Sequence, residues 1–243
     1  STPLTCRRQR QMCIRDSQIP CTVVVPHGNS VEKNAAMRSL GVKLVEYGDD
    51  FQESLEHALE LAEEDSLHFV PSFHPWLIAG VATYSLELFN AVENIHTVYV
   101  PIGLGSGICG MIAARDALGL DTRIVGVVSA HATAYSQSFR ANRLVESPVS
   151  TLLADGMACR TPQAKALDIM GKGVDHRVEV SDGEVAAAMR RMFECTHNTC
   201  EGAGAAALAA AWQERSEVSG RRIAVVASGG NVDRDVFAKV LGS

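Results

Sequence analysis

The sequence predicts an α/β protein of doubly wound, mostly parallel sheets, and three observations carry that prediction. Short β-branched runs alternate with segments of helical apolar spacing along most of the chain. Two of those runs end in glycine turns, Gly103-Leu104-Gly105-Ser106-Gly107 and Ser228-Gly229-Gly230. Turns at the carboxyl ends of parallel strands lie where open α/β sheets receive ligands.

Residues 1–17, STPLTCRRQRQMCIRDS, stand outside that rhythm. They hold four arginines and almost no apolar periodicity, and they lack the amphipathic face of a transit peptide. They read as a non-native leader. From Gln18 onward the pattern is regular: a strand over residues 21–25, a helix over 30–40 closed by Gly41, a strand over 42–47 and a helix over 51–64. Residues 68–70 are strand-like, and Pro75 precedes a helical run over 77–90. The run Thr97-Val98-Tyr99-Val100 predicts a central strand, and Ile108, Met111, Ile112 and Leu118 mark the helix beyond its glycine turn. Residues 123–128 form a buried strand. Residues 130–160 are an irregular connection with a short helix at 133–142. Thr161-Pro162 opens a helix that Gly171-Lys172-Gly173 stops. A strand over 175–180 ends in Ser181-Asp182, an N-cap for a helix over 184–196. The alanine run of a helix over 204–215 has little bulk and can approach another backbone closely. The last strand, 222–227, leads into the second glycine turn. A small α/β domain over 18–85 and a large one over 86–243 are expected.

Composition narrows the function. The 243 residues suffice for a sizeable core, and 47% hydrophobic with 21% charged residues is ordinary for a globular protein. No apolar run approaches the ~20 residues of a membrane span. A net charge of −6 with scattered Lys and Arg argues against a nucleic-acid surface. Seven dispersed cysteines suit a reducing cytoplasm, where disulfides are not expected. Cys195, His197 and Cys200 lack the fourth ligand and paired spacing of a zinc site, so no metal is assigned. A small-molecule ligand is expected.

The first glycine turn suits an anion, because it hands a strand to a helix whose N–H groups and dipole converge there. Gly105-Ser106-Gly107-Ile108-Cys109-Gly110 also fits G-x-G-x-x-G. A dinucleotide site would place an acid at the end of the next strand, which here ends in Ser129-Ala130-His131. Tight strand-to-helix packing without a ligand stays open on the loop alone.

Four segments, VPIGLGSGICGMIAA, DGMACRTPQAKALDIM, ECTHNTCEGAGAAALAAA and VVASGGNVD, occur in order and at approximate spacing. With CTVVVPHGNSVEKNAAMRSLGVKLVEYG and PSFHPWLIAGVATYSLEL upstream, the chain resembles the pyridoxal-phosphate-dependent threonine/serine dehydratase family of fold type II, tryptophan synthase β-like, from Gln18 to Phe237. That resemblance implies a phosphate loop of Gly103, Leu104, Gly105, Ser106 and Gly107, a pyridine-nitrogen partner in Ser228 and a site-proximal acid in Glu201. A surface carboxylate at a helix start stays open for Glu201. The implied cofactor is pyridoxal 5′-phosphate. The implied reaction is β-elimination of a β-hydroxy amino acid to a 2-oxo acid and ammonia, by an enzyme that is a homo-oligomer when complete.

The sequence departs from the family in two places. None of its five lysines, Lys33, Lys43, Lys165, Lys172 and Lys239, stands in the family's S-x-K-x-R-G context, so the Schiff-base lysine is not assigned and the catalytic residue stays unknown. The substrate-carboxylate loop S-x-G-N-H has no counterpart either. Both belong upstream, which marks the chain as N-terminally incomplete with a truncated small domain. Residues 128–135 contain no Asp or Glu, so the divalent-cation site of some members is not expected. Another fold type II lyase, a β-replacement enzyme and a non-catalytic ligand-binding remnant remain open.

Overall fold

The computed structural model describes residues 19–243, which leaves the leader outside the described residues. It divides into two compact units. The first comprises the described residues up to Val70 together with Asn231–Lys239, and the second comprises Pro71–Gly230 and Val240–Ser243.

In the first unit, β1 (Thr22–Val25) and β2 (Lys43–Glu46) pair in parallel, and α1 (Val31–Ser39) forms the crossover. Val25, Met37 and Val42 form its small core. Asp50 caps α2 (Phe51–Glu64), its side chain accepting from the Glu53 amide at 2.9 Å. The N-terminus of α1 is capped from far along the chain. Ser30 Oγ accepts from the Lys33 amide at 3.0 Å and itself donates to Asp233, whose carboxylate also accepts from the Val31 and Glu32 amides at 3.2 and 3.4 Å. Residues 67–70 are not a strand, because no second strand is in place to pair with them among the described residues.

The second unit holds a four-stranded parallel sheet in the order β5-β4-β3-β6, made of β3 (Thr97–Pro101), β4 (Arg123–Ser129), β5 (His176–Val180) and β6 (Ile223–Val225). From β3 the chain winds outward through β4 to β5, then returns to the opposite edge of β3. The strand order therefore reverses at β3, and the crevice at the carboxyl ends of β3 and β6 is a topological switch point. Helices cover both faces, which accounts for the burial of β3 up to Val100 and of β4 from Ile124 onward. Val98, Val100, Ile124 and Val128 join Ile108, Met111 and Ile112 of α4 (Ser106–Ala117), beside α3 (Pro75–Ala91). On the other face lies α8 (Gly202–Gln213), whose buried alanines let it sit close to the strands. The helix α3, across which a domain boundary at residue 85 would run, lies wholly in the second unit.

Two further expectations are corrected. The helix α6 (Ala164–Gly173) continues through Gly171 and Gly173, neither of which is left-handed. Gly173 instead makes room, since a Cβ there would collide with Ile112. A terminal helix, α9 (Arg234–Leu241), is also present where the sequence predicted no element. Elsewhere α5 (Ala134–Ala141) falls within residues 133–142, and α7 (Asp182–Thr196) starts at a capping box between Ser181 and Glu184.

At the amino ends of the strands His176 lies between two carboxylates, with Nδ1 2.8 Å from Asp175 and Nε2 2.7 Å from Glu214. Glu214 also accepts from the buried Tyr99 hydroxyl at 2.8 Å, and Arg123 donates to Asp175 at 2.7 Å. Burial works against the imidazolium, but its bonds to Asp175 and Glu214 leave the His176 pKa raised. Hydrogen bonds from Arg123 and His176 lower that of Asp175 to about 2.

A raised histidine pKa stabilises the fold below the unfolded value of about 6.5, and that contribution is lost as pH rises through the folded value. The lowered Asp175 pKa stabilises above about 3.9 and its contribution fades as pH falls toward 2. Thermal melts across pH should therefore show a decline as pH rises beyond about 6.5, and His176→Gln should flatten that decline. An unchanged profile in the variant would remove His176 from the network.

Candidate functional site

The sheet brings the two glycine turns side by side. Tyr99 of β3 is opposite Val225 of β6, and the Val226 amide donates to the Tyr99 carbonyl at 3.0 Å. Gly103 to Gly107 follow β3, and Ser228 to Gly230 follow β6. The sequence-predicted positions Gly103, Leu104, Gly105, Ser106, Gly107, Ser228 and Glu201 thus gather at one end of one sheet.

The first turn is shaped for an anion. Gly105 is the N-cap of α4 and is left-handed, with φ 98°. Among the described residues, the amides of Gly103, Leu104, Gly105 and Ser106 donate no backbone hydrogen bond, and the first-turn amides of a helix have no partner within it. These donors stand at the positive end of the helix dipole, the setting in which helix N-termini receive phosphate esters. No side chain could be added to the turn cheaply. A Cβ on Gly103 would collide with the Gly156 carbonyl, and one on Gly105 would stand 2.9 Å from Ala166 Cβ.

The second turn is built on backbone contact. The Glu201 amide donates to the Gly229 carbonyl at 3.0 Å, and a Cβ on Gly204 would collide with that same carbonyl. Glu201 is the N-cap of α8 and is only 8% exposed, so it is not the surface carboxylate that its helix-start position allowed. Its Oε1 lies against Gly229, where any side chain would strike it. The Ser228 hydroxyl, in contrast, is exposed at the strand end. A serine hydroxyl is a neutral donor and acceptor.

Other candidates are set by their own surroundings. Cys109 lies in the first turns of α4, but burial pushes its thiol up to about 12, so it is a packing group and not a nucleophile. Cys195 is exposed and Cys200 buried, with His197 as the left-handed C-cap of α7. Lys172 pairs with Asp168 at 2.9 Å, and Lys165 is exposed. An open groove of about 420 Å³ lies at the opposite end of the sheet. Its cations are already paired, Arg115 with Asp116 and Arg123 with Asp175, so it has the look of a solvated ion-pair surface.

Sequence patterns missed one contributor. Tyr135 is 2% exposed, and its hydroxyl donates to the Leu104 carbonyl at 2.8 Å. It lies on the short helix α5, and no local signal links it to residue 104.

Known proteins resemble this chain over most of its length. L-threonine ammonia-lyase of Thermotoga maritima is 31% identical over 224 residues, covering 92% of this chain and 56% of that protein. L-threonine ammonia-lyase of Geobacter sulfurreducens is 35% identical over 225 residues, with the same shares. The chain thus spans about half the length of these relatives. The processed form of threonine deaminase isoform 2 from Solanum lycopersicum superposes with a TM-score of 0.86 at 29% identity, covering 96% of this chain and 68% of that one. No helix among the described residues is long and apolar enough to cross a membrane. The family profile described as pyridoxal-phosphate dependent enzyme matches residues 13–229, and the chain belongs to that family.

Proposed function

We propose that this chain carries the cofactor-binding part of a threonine/serine ammonia-lyase, which converts a β-hydroxy amino acid to a 2-oxo acid and ammonia. The observation that carries the proposal is a neutral hydroxyl, Ser228, at the strand end beside the anion-shaped turn. The names of the relatives support the substrate class. Bound pyridoxal phosphate supplies an electron sink for the charge left when the α-proton departs.

The chain's own residues then divide the work. The amides of Gly103 to Gly107 and the α4 dipole hold the phosphate. Ser228 orients the ring nitrogen without forcing a full positive charge onto it, as a carboxylate would. A neutral partner of this kind would leave the bound cofactor a milder electron sink than a carboxylate would. Glu201, packed against Gly229, holds the second turn against the start of α8. We take the substrate to be a free amino acid and the complete enzyme to be a cytoplasmic homo-oligomer.

One observation favours a second reading, ligand binding without turnover. No lysine stands in the family's reactive context, and Lys33, which follows a strand and turn, lies on α1 with its amide engaged by Ser30. We infer that residues 1–243 alone do not turn over.

Incubation of the full chain with pyridoxal phosphate, borohydride reduction and mass mapping should reveal no stoichiometric pyridoxyl-lysine, and threonine and serine should yield no 2-oxo acid. A single modified lysine with turnover would show that the reactive residue is present and would correct the inference. Turnover of some other amino-acid class alone would sink the substrate assignment. Ser228→Ala should weaken pyridoxal phosphate binding several-fold, the range of one lost hydrogen bond at ~1 kcal/mol, while leaving inorganic phosphate binding unchanged. Equal weakening for both probes would place Ser228 outside the ring-nitrogen role.

A further inference from the structure

The orientation of the first glycine turn depends on a residue outside it. The Tyr135 hydroxyl donates to the Leu104 carbonyl at 2.8 Å and accepts from the Gln163 amide at 3.0 Å. Three segments therefore meet at one oxygen: the turn after β3, the helix α5, and the N-cap of α6. The hydroxyl lies 3.5 Å from where a Cβ of Gly105 would be, so the turn closes directly onto it. Burial raises the phenol pKa, which keeps the group a proton donor across the physiological range.

Peptide geometry gives this contact a consequence. In a trans peptide the carbonyl and the following N–H point in opposite directions. With the Leu104 carbonyl turned toward the buried Tyr135, the Gly105 N–H is turned the other way, away from Tyr135. Gly105 has no Cβ to resist rotation of that plane, and its φ of 98° lies in a region that glycine enters and leaves freely. The turn has no side chain of its own that fixes the plane.

We propose that Tyr135 is a positioning residue for the phosphate cradle, its hydroxyl fixing the Leu104–Gly105 peptide so that the Gly105 N–H faces the cofactor phosphate. The same hydroxyl ties the cradle to the start of α6 through Gln163. The proposal rests on the cofactor and is independent of the substrate amino acid.

Tyr135→Phe in the full chain retains the ring, which stands 6.3 Å from that of Phe139, and removes the hydroxyl alone. The variant should bind pyridoxal phosphate about tenfold more weakly, the size of one lost hydrogen bond in a buried site. Pyridoxal, which lacks the phosphate, should bind both proteins equally, and the ³¹P resonance of the bound cofactor should move. Phe139→Leu, which loosens the packing and leaves the hydroxyl, should not reproduce that phosphate-dependent difference. Equal losses for pyridoxal phosphate and pyridoxal, or an unchanged affinity with an unmoved ³¹P resonance, would overturn the proposal. A second measurement needs only the unmodified chain: inorganic phosphate should shift the Gly105 amide resonance in ¹⁵N–¹H spectra. An unmoved Gly105 resonance, or failure of the unmodified chain to bind either phosphate probe, overturns it as well.

Discussion

The parallel pairing of β6 with β3 is the interaction on which the candidate site depends. Residues 223–225 join a strand formed by residues 97–101, and the ladder extends past both ends through the bonds from His96 to Arg222 and from Val226 to Tyr99. This pairing sets the reversal of strand order at β3. It is what makes one crevice out of two glycine turns separated by more than a hundred residues. Each ladder bond contributes only about 1 kcal/mol net, but the register they fix is discrete, and a one-residue slip would turn Tyr99 or its neighbours to the wrong face. Tyr99 anchors that register through Glu214, at the far end of the helix whose first residues hold the second turn.

Much of this was legible in the sequence because it is local. The alternation of β-branched runs with helical spacing marked every strand of both sheets, and the glycine turns announced themselves by composition. What escaped was set by long-range contact. Residues 68–70 have strand-like composition but no partner among the described residues, so propensity had nothing to act on. Gly171 and Gly173 look like a helix stop, yet Gly173 is there because Ile112 occupies the space a side chain would need. Glu201 sits at a helix start, where carboxylates are usually solvated, and only its packing on Gly229 reveals its burial. Tyr135 carries no signature whatever at the level of neighbouring letters, since its meaning lies in a carbonyl 31 residues away.

The glycines near the site serve two different ends. Gly105 supplies a backbone conformation, whereas Gly103, Gly204, Gly229 and Gly230 supply nearness, each having a main-chain or carboxylate oxygen where its Cβ would be. Around a ligand of fixed size, nearness of this kind sets distances with little freedom, because packed backbones do not adjust as long side chains do. The Tyr135 hydroxyl adds a bond to the Leu104 carbonyl within a frame whose dimensions are already set by main chain.

The cap on α1 bears on the order in which the protein can be made. Asp233 closes the amino end of a helix that begins about two hundred residues earlier, with a sequence separation of 203 from Ser30. As the chain emerges from the ribosome, β1, α1 and β2 exist long before the residue that satisfies their exposed amides. The cap on α1 can therefore form only after Asp233 has been made. A cap that contributes ~1 kcal/mol in the finished fold thus leaves the first amides of α1 without their Asp233 partner until that residue is present.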